Sequence, residues 1–354
     1  MKLEYQLQYT EKELTIITSR LGNLEEQLKR IVVESEYDDL IQSCLRYMIK
    51  DNLQTTQLMQ GLANGNPDFI QHSYNFKYGK SEKSTARIAK DFLTFREVDE
   101  PRYDEQLFDA RDIEKYFRLV LSRYGIEYNV VLSNNAMAID VRDKSQTGGS
   151  IHIPIQKKVR KKRLIELISE EIESHCLQSS NARKMFGIGG GKLKYDEEIL
   201  YEGYAMYNYS RLPKLFRSDE SSHNLPFYIM PLLIDKASNG ASFQDLFQEA
   251  AYLVEQYGAK KDAREINASA WKLVLRIKRG FKDLDESAGY YLNKDSGYMV
   301  GMLVCKDFVA NGKEKYVSFL NFPLKLIPEF LKFSFDGVRV PYTFQNLAGK
   351  LRLD

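Results

Sequence analysis

The sequence predicts an α+β fold, and three observations carry the prediction. Helical periodicity runs through the N-terminal part of the chain, with apolar residues at three- and four-residue steps. Residues 126–155 hold three short β-branched runs, "IEYNVVLS", "MAIDVRD" and "SIHIPI", parted by Asn134-Asn135 and Gly148-Gly149. A long helical segment follows at once, from about residue 159 to 183, so strands and helices are segregated rather than alternating.

Taken in order, residues 3–61 read as two or three helices, Leu14, Ile17, Leu21, Leu24 and Leu28 forming an apolar stripe among Glu, Lys and Arg. "GLANGNP" at 61–67 interrupts this pattern, and the polar stretch after it reads as a connecting region. "DARDIEKYFRLVLSRYG" is a further helix closed by Gly125. The runs of 126–155 read as an antiparallel hairpin or meander. After the long helix, "GIGGG" at 187–191 turns the chain, and a second acidic helix starts with Asp196 as its N-cap. Ser242 and Asp245 form a capping-box pattern for the helix that Gly258 ends. The tail mixes a helix, "SAWKLVLRIKRG", with short apolar runs around Pro323, Pro328 and Pro341. The expected organisation is an N-terminal helical region over 1–65 and an α+β domain over 66–354.

The chain has 354 residues, 43% hydrophobic and 28% charged, enough for one large domain or two modest ones. A net charge of +2 does not point to nucleic acid. No apolar stretch has the length of a membrane span, and the first residues lack the apolar core of a signal peptide. Three scattered cysteines give no disulfide framework, and a cytoplasmic location is expected. The basic run "KKVRKKR" at 157–163 reads as a solvated helix start or as a patch for nucleic acid or an anionic protein tail, and its cations, which oppose the helix dipole, speak for a partner. "FGIGGGKLK" lacks the spacing and the Ser/Thr of a phosphate loop, and "YGKS" lacks the upstream glycine.

The chemistry gathers in "LISEEIESHCLQ", residues 167–178, in a chain with only four histidines. On an α-helix, residues i and i+4 lie about 40° apart and i and i+5 about 140° apart. Glu171 and His175 therefore share a face, and Glu170 joins them only if the helix is distorted. Alone, such a pattern reads as solvated helix charge. Glu202, in "LYEGYA", is the next helical carboxylate. A histidine, carboxylates and a water make a Zn²⁺ shell, and a further glutamate can serve as base on that water. Of the other histidines, His152 lies on a strand, as an ordinary half-buried residue or a replacement ligand, and His223 in a loop; His72 has no evident role.

In order and separation, "EEIESHCLQSSN" at 170–181, "YEGYA" at 201–205, "RG" at 279–280 and "KDSGYMVG" at 294–301 resemble the motifs of a metallopeptidase family. That family comprises the tubulin-tyrosine carboxypeptidases of the MATCAP type and their bacterial QEGLA-motif relatives, with H-E-I-x-T-H-x-x-R-x-x-N and a T/Q-E-G-L-A-like helix start. "GGSIHIPI" and "FDGVRVPY" also look like it, and the likeness covers roughly residues 125–345. The resemblance implies a zincin-like metallopeptidase domain with a small antiparallel sheet beside the metal helix. It implies a metallocarboxypeptidase acting on the C-terminal tail of a peptide or protein. His175 and Glu202 would be metal ligands, Glu171 the general base, and Arg279, Lys294 and Tyr298 the substrate-binding groups.

Two positions depart from the motif: Glu170 stands where the family has its first metal histidine, and Gln178 where it has arginine. A shell of Glu170, His175 and Glu202 is more anionic than His-His-Glu, which lowers the Lewis acidity of zinc and suits a harder ion such as Mn²⁺. Zinc is the expected cofactor, with manganese or no metal as the alternatives that Glu170 opens. The rival function is a catalytically inactive relative that binds a peptide or protein tail.

Overall fold

A computed structural model of the chain describes residues 11–30, 36–94, 107–144, 148–186, 198–212, 221–258, 262–284, 286–318, 332 and 338–341. The chain divides into two units, one of residues 1–99 and 220–299, the other of 100–219 and 300–354. The expected boundary at residues 65–66 lies inside the first.

In the first unit, α1 (Glu11–Leu28) packs on α2 (Glu36–Asn64); of the expected stripe Leu14 is buried and Ile17 and Leu21 are half-buried, while Leu24 is exposed. The stretch expected to be a connection instead forms α3 (Pro67–Tyr78) and α4 (Lys83–Thr94). The reason is local: the Asn66 side chain accepts from the Phe69 N–H, and Pro67 takes the first helical position, where a missing N–H costs nothing. α4 buries Thr85, Ala86, Ala89 and Leu93, the inner face of an amphipathic helix. Further along come α9 (Ser221–Ser238), α10 (Phe243–Tyr257) and α11 (Ala263–Ile277). Their core joins Ile229, Leu233, Leu246, Ala250, Val274 and Ile277, with Leu93 of α4. The capping box of α10 is made, Ser242 Oγ accepting from the Asp245 N–H at 3.1 Å and the Asp245 carboxylate accepting from the Ser242 N–H at 3.0 Å.

The loop after α11 is pinned by a buried cation. Lys278 is 0% exposed, and its Nζ donates to the carbonyls of Ser287 (2.5 Å) and Tyr290 (2.7 Å). Burial pushes its ammonium down to about 8. A neutral amine still has two N–H groups for the two carbonyls, so the bonds survive deprotonation. Because the folded value lies below that of the unfolded chain, folded protein sheds this proton first, and stability rises between about pH 8 and 10.5. The difference between wild-type and Lys278→Met denaturation profiles should change by no more than about 3 kcal/mol across that window, in this direction. A flat difference would contradict the assignment.

In the second unit, β1 (Leu107–Asp109) leads into α5 (Ala110–Tyr124), which Asp109 caps with a full capping box and left-handed Gly125 (φ 59°) ends, as expected. Next come β2 (Tyr128–Ser133), β3 (Asp140–Lys144), β4 (Gly148–Pro154) and β5 (Lys158–Arg160). The sheet corrects the antiparallel reading. Its order is β2-β4-β3, with β2 parallel to β4 and only β3 antiparallel to it. β4 is the most buried of the three strands and takes the centre, while polar β3 is left at an edge. Gly149 permits the close packing, since a Cβ there would meet the Arg142 carbonyl and the Tyr128 ring. The basic run is also corrected: Lys158–Arg160 pairs antiparallel with β1 around buried Val159, and the helix starts only at Lys161.

That helix is continuous to residue 186: α6 (Lys161–Leu167), a π-helical stretch (Ile168–Cys176) and α7 (Leu177–Phe186). α8 (Glu198–Arg211) packs on the π stretch. Asp196 and the glycines 187–191 lie outside the described residues. The remaining elements are α12 (Lys294–Ala310), in which the division between the units falls, and α13 (Glu314–Val317). One core joins Ile113 and Phe117 of α5, Ile151 and Ile153 of β4, and Ile168 and Ile172 of the π stretch. The sheet thus packs on the helix that carries Glu171 and His175. No helix among the described residues is long and apolar enough to cross a membrane.

Candidate metal centre

The π-helical stretch decides which side chains meet. Its hydrogen bonds run from residue i to i+5, as from the Leu177 N–H to the Ile172 carbonyl, so positions five apart fall nearly in line. On such a stretch residues 170 and 175 are nearer to one face than on an α-helix. Ser174 supports the wide turn, its hydroxyl donating to the Ser169 carbonyl at 2.8 Å and accepting from Asn208 Nδ2 of α8 at 2.9 Å. Behind it, the Tyr124 hydroxyl donates to the buried carboxyl of Glu173 at 2.5 Å, and burial pushes that carboxyl up to about 7.

His175 is buried and stacks on Tyr201, with ring centroids 3.9 Å apart and planes 20° off parallel. Its Nε2 lies 3.8 Å from Glu202 Oε2. α8 delivers Tyr201 and Glu202 together, and its placement depends on two glycines. Gly203 meets Gly301 of α12 backbone to backbone: a Cβ on Gly203 would strike Gly301 and come within 2.7 Å of Met302 N, and one on Gly301 would strike the Ile199 carbonyl oxygen. Gly203 of "YEGYA" and Gly301, the last residue of "KDSGYMVG", thus form one helix crossing.

Glu171 is 8% exposed. Burial, then the charges of Glu170 and Glu202, push its carboxyl well above the usual carboxylate range; Arg163 opposes this and Asp140 adds to it. Glu170 does not turn to His175. Its carboxylate is 3.3 Å from Arg163 Nη2, while Arg163 Nη1 is 3.1 Å from the buried carboxylate of Glu166. Among the described residues, no group of three or more His, Cys, Asp and Glu side chains is placed to hold an ion. His175 and Glu202 are brought together, with Glu171 close in charge, and Glu170 is held apart.

The remaining motif positions have structural work. Gln178, in place of arginine, donates to the Val317 carbonyl at 2.7 Å. Asn181 donates to the carbonyls of Ser318 and Arg339 and accepts from the Arg339 N–H. Arg339 in turn donates to the carbonyls of Tyr124 and Gly125, and so ties down the end of α5. His152 lies within 3.0 Å of the Ser150 hydroxyl on β4, in register with Asp140 of β3. The side chain of His223 lies outside the described residues.

Arg279, Lys294 and Tyr298 belong to the first unit. The Arg279 side chain is exposed and its carbonyl accepts from the Tyr74 hydroxyl at 2.8 Å; Gly280 beside it has φ 98° and is crowded by the same tyrosine. Lys294 opens α12, and Tyr298 packs against Phe227 at 5.3 Å between ring centroids. Sequence reasoning missed Arg163, Tyr201 and Asp140. Arg163 had a signal, since it stands seven residues before Glu170 and so two helical turns away.

No family model matches the chain, and no curated protein matches it. The family likeness therefore rests on the order and spacing of the motifs.

Proposed function

We propose that the protein is a metal-dependent hydrolase with a zincin-like domain, which removes the C-terminal residue from a peptide or protein tail. The observation that carries this reading is His175 Nε2 lying 3.8 Å from Glu202 Oε2, with the buried Glu171 carboxyl close enough to feel the charge of Glu202. Two donors of the kind a divalent cation accepts, the His175 imidazole and the Glu202 carboxylate, stand 3.8 Å apart, and the reading requires a third that the described residues do not set beside them. Imidazole nitrogen and carboxylate oxygen are the donors zinc accepts, and the crowding of Glu171 by Glu170 and Glu202 is a charge excess that a cation relieves. His175 and Glu202 would hold the ion, and Glu170 would join them once free of Arg163. When bound, zinc supplies Lewis acidity toward a carbonyl and acidifies a water, and manganese is the alternative that the carboxylate-rich set favours.

The chain's own residues do the rest. Tyr201 fixes the plane of the His175 ring, and burial raises the proton affinity of Glu171 toward that of a general base taking a proton from water. Incubation with peptides bearing a free C-terminus, with and without chelator, tests the reading by mass spectrometry: loss of one terminal residue is expected, and only without chelator. One observation favours a second reading, a non-catalytic module that binds a tail. Arg163 already gives Glu170 a positive partner, so this part of the cluster is neutralised without metal.

Glu170→His discriminates between them. The π turn sets position 170 nearer the face of His175 than an α-helix would, and a neutral imidazole is not held by Arg163. Zinc affinity measured by calorimetry should rise by about tenfold or more. An unchanged affinity in a folded variant would favour the binding module.

A further inference from the structure

We infer that one end of the second unit binds an anionic membrane surface: Met137 and Ile155 enter the interface, and the lysines that follow Ile155 meet the lipid headgroups. The inference is independent of the metal-site reading. It rests on two unlike features that the fold brings to one place. Met137 is 100% exposed and Ile155 54% exposed. Asp140 of β3 stands opposite His152 of β4, and three residues outward from that pair along each chain are Met137 and Ile155. The Ile155 N–H donates to the Ser133 carbonyl at 3.1 Å, which fixes the chain after β4 beside the end of β2. Both apolar residues therefore lie at the same end of the sheet.

The cations follow at once. A turn closed by the Lys157 N–H on the Pro154 carbonyl (2.9 Å) leads from Ile155 to Lys158, at most about 11 Å further on. Where β1 and β5 pair, Val159 and Phe108 are buried in the core, Lys158 stands opposite Asp109, and Arg160 stands opposite Leu107. The outer face thus carries Lys158, Arg160 and Leu107, the last 59% exposed. Asp109 shares this face, but its carboxylate accepts from the Arg111 and Asp112 N–H groups at the start of α5. Lys161 and Lys162 open α6, whose N-cap Arg160 makes no side-chain bond and whose first turn holds no acidic residue. Among the described residues, Lys157, Lys158 and Lys161 are in no ion pair. A basic patch alone suits any polyanion. Exposed apolar residues beside it select a surface that offers both negative headgroups and hydrocarbon, and a peripheral contact of this kind needs no spanning helix. Nucleic acid would be matched by rings for its bases, and no exposed aromatic residue among those described stands here. An acidic peptide would use the lysines and leave Met137 in water.

Co-sedimentation of the full-length chain with vesicles tests the inference, using phosphatidylcholine alone and phosphatidylcholine with phosphatidylserine in equal parts. Binding is expected to the anionic vesicles, and it should fall as salt is raised. Lys157→Gln/Lys158→Gln/Lys161→Gln should weaken it by about a hundredfold, at about fivefold for each lysine. Met137→Asp should weaken it by about tenfold or more. Fully exposed Met137 has no packing to lose, so that variant probes the surface without endangering the fold. Folded wild-type protein that ignores anionic vesicles, or binds neutral ones equally, overturns the proposal. So does vesicle binding that either variant leaves unchanged. Binding to poly-glutamate or an oligonucleotide that needs the lysines but not Met137, with none to anionic vesicles, overturns it in favour of another polyanion.

Discussion

Glu171→Gln should lower the rate of terminal-residue hydrolysis by about 10² to 10⁴-fold while leaving zinc binding in place. The substitution preserves shape and removes only the ability to accept a proton. It should also stabilise the metal-free protein. Burial and the charges of Glu170 and Glu202 raise the proton affinity of this carboxyl in the folded chain. Its contribution to stability is therefore fully present below the pKa of the unfolded chain, and is lost as pH rises through the higher folded value. At neutral pH the wild type carries this cost and the glutamine does not. Steady-state kinetics and thermal unfolding of metal-free protein check the two halves. Undiminished hydrolysis would remove Glu171 from the chemistry, and a less stable metal-free variant would contradict the crowding that makes it a base.

Gly301→Ala should destabilise the chain by about 3 kcal/mol or more, because the added methyl meets the Ile199 carbonyl of a packed helix rather than a side chain that can turn aside. A shift of that size lowers the melting temperature by about 6–12 °C. Gly203→Ala meets the same crossing from the other side and should behave alike. Gly22→Ala is the control: it lies within α1, no atom is within 4 Å of the added Cβ, and helix propensity favours the change by about 1 kcal/mol. Differential scanning calorimetry of the three variants decides the matter. A neutral Gly301→Ala would mean that α8 and α12 do not cross at these residues, and the position of Glu202 would lose its support.

Caps and periodicity were readable because they are local. Gly125, and Ser242 with Asp245, each satisfy helix-end groups within a few residues, and the structure uses them as the sequence suggests; Asp109 caps the start of α5 in the same local way. The parallel pairing of β2 with β4 was not readable, since it depends on which strand is most buried and not on the turn between neighbours. α3 lies in polar sequence with only Ile70, Ser73 and Tyr74 buried, whereas the apolar periodicity of α4, with Ala86, Ala89 and Leu93 buried, was a readable signal. In the site, the spacing from Glu170 to His175 was the only trace of the π turn. A scan at 3.6 residues per turn assigns the two to different faces. The stacking of His175 on Tyr201 and the hold of Arg163 on Glu170 depend on packing between segments, which spacing does not encode. The first unit combines residues 1–99 with 220–299, an association that linear pattern cannot reveal.

Metal analysis of protein purified without chelator tests the central claim most directly, with His175→Gln prepared in parallel. The account predicts about one zinc or manganese ion per chain in the wild type and none in the variant. Wild-type protein that is folded and free of metal, and that takes up neither ion when they are supplied, would contradict it.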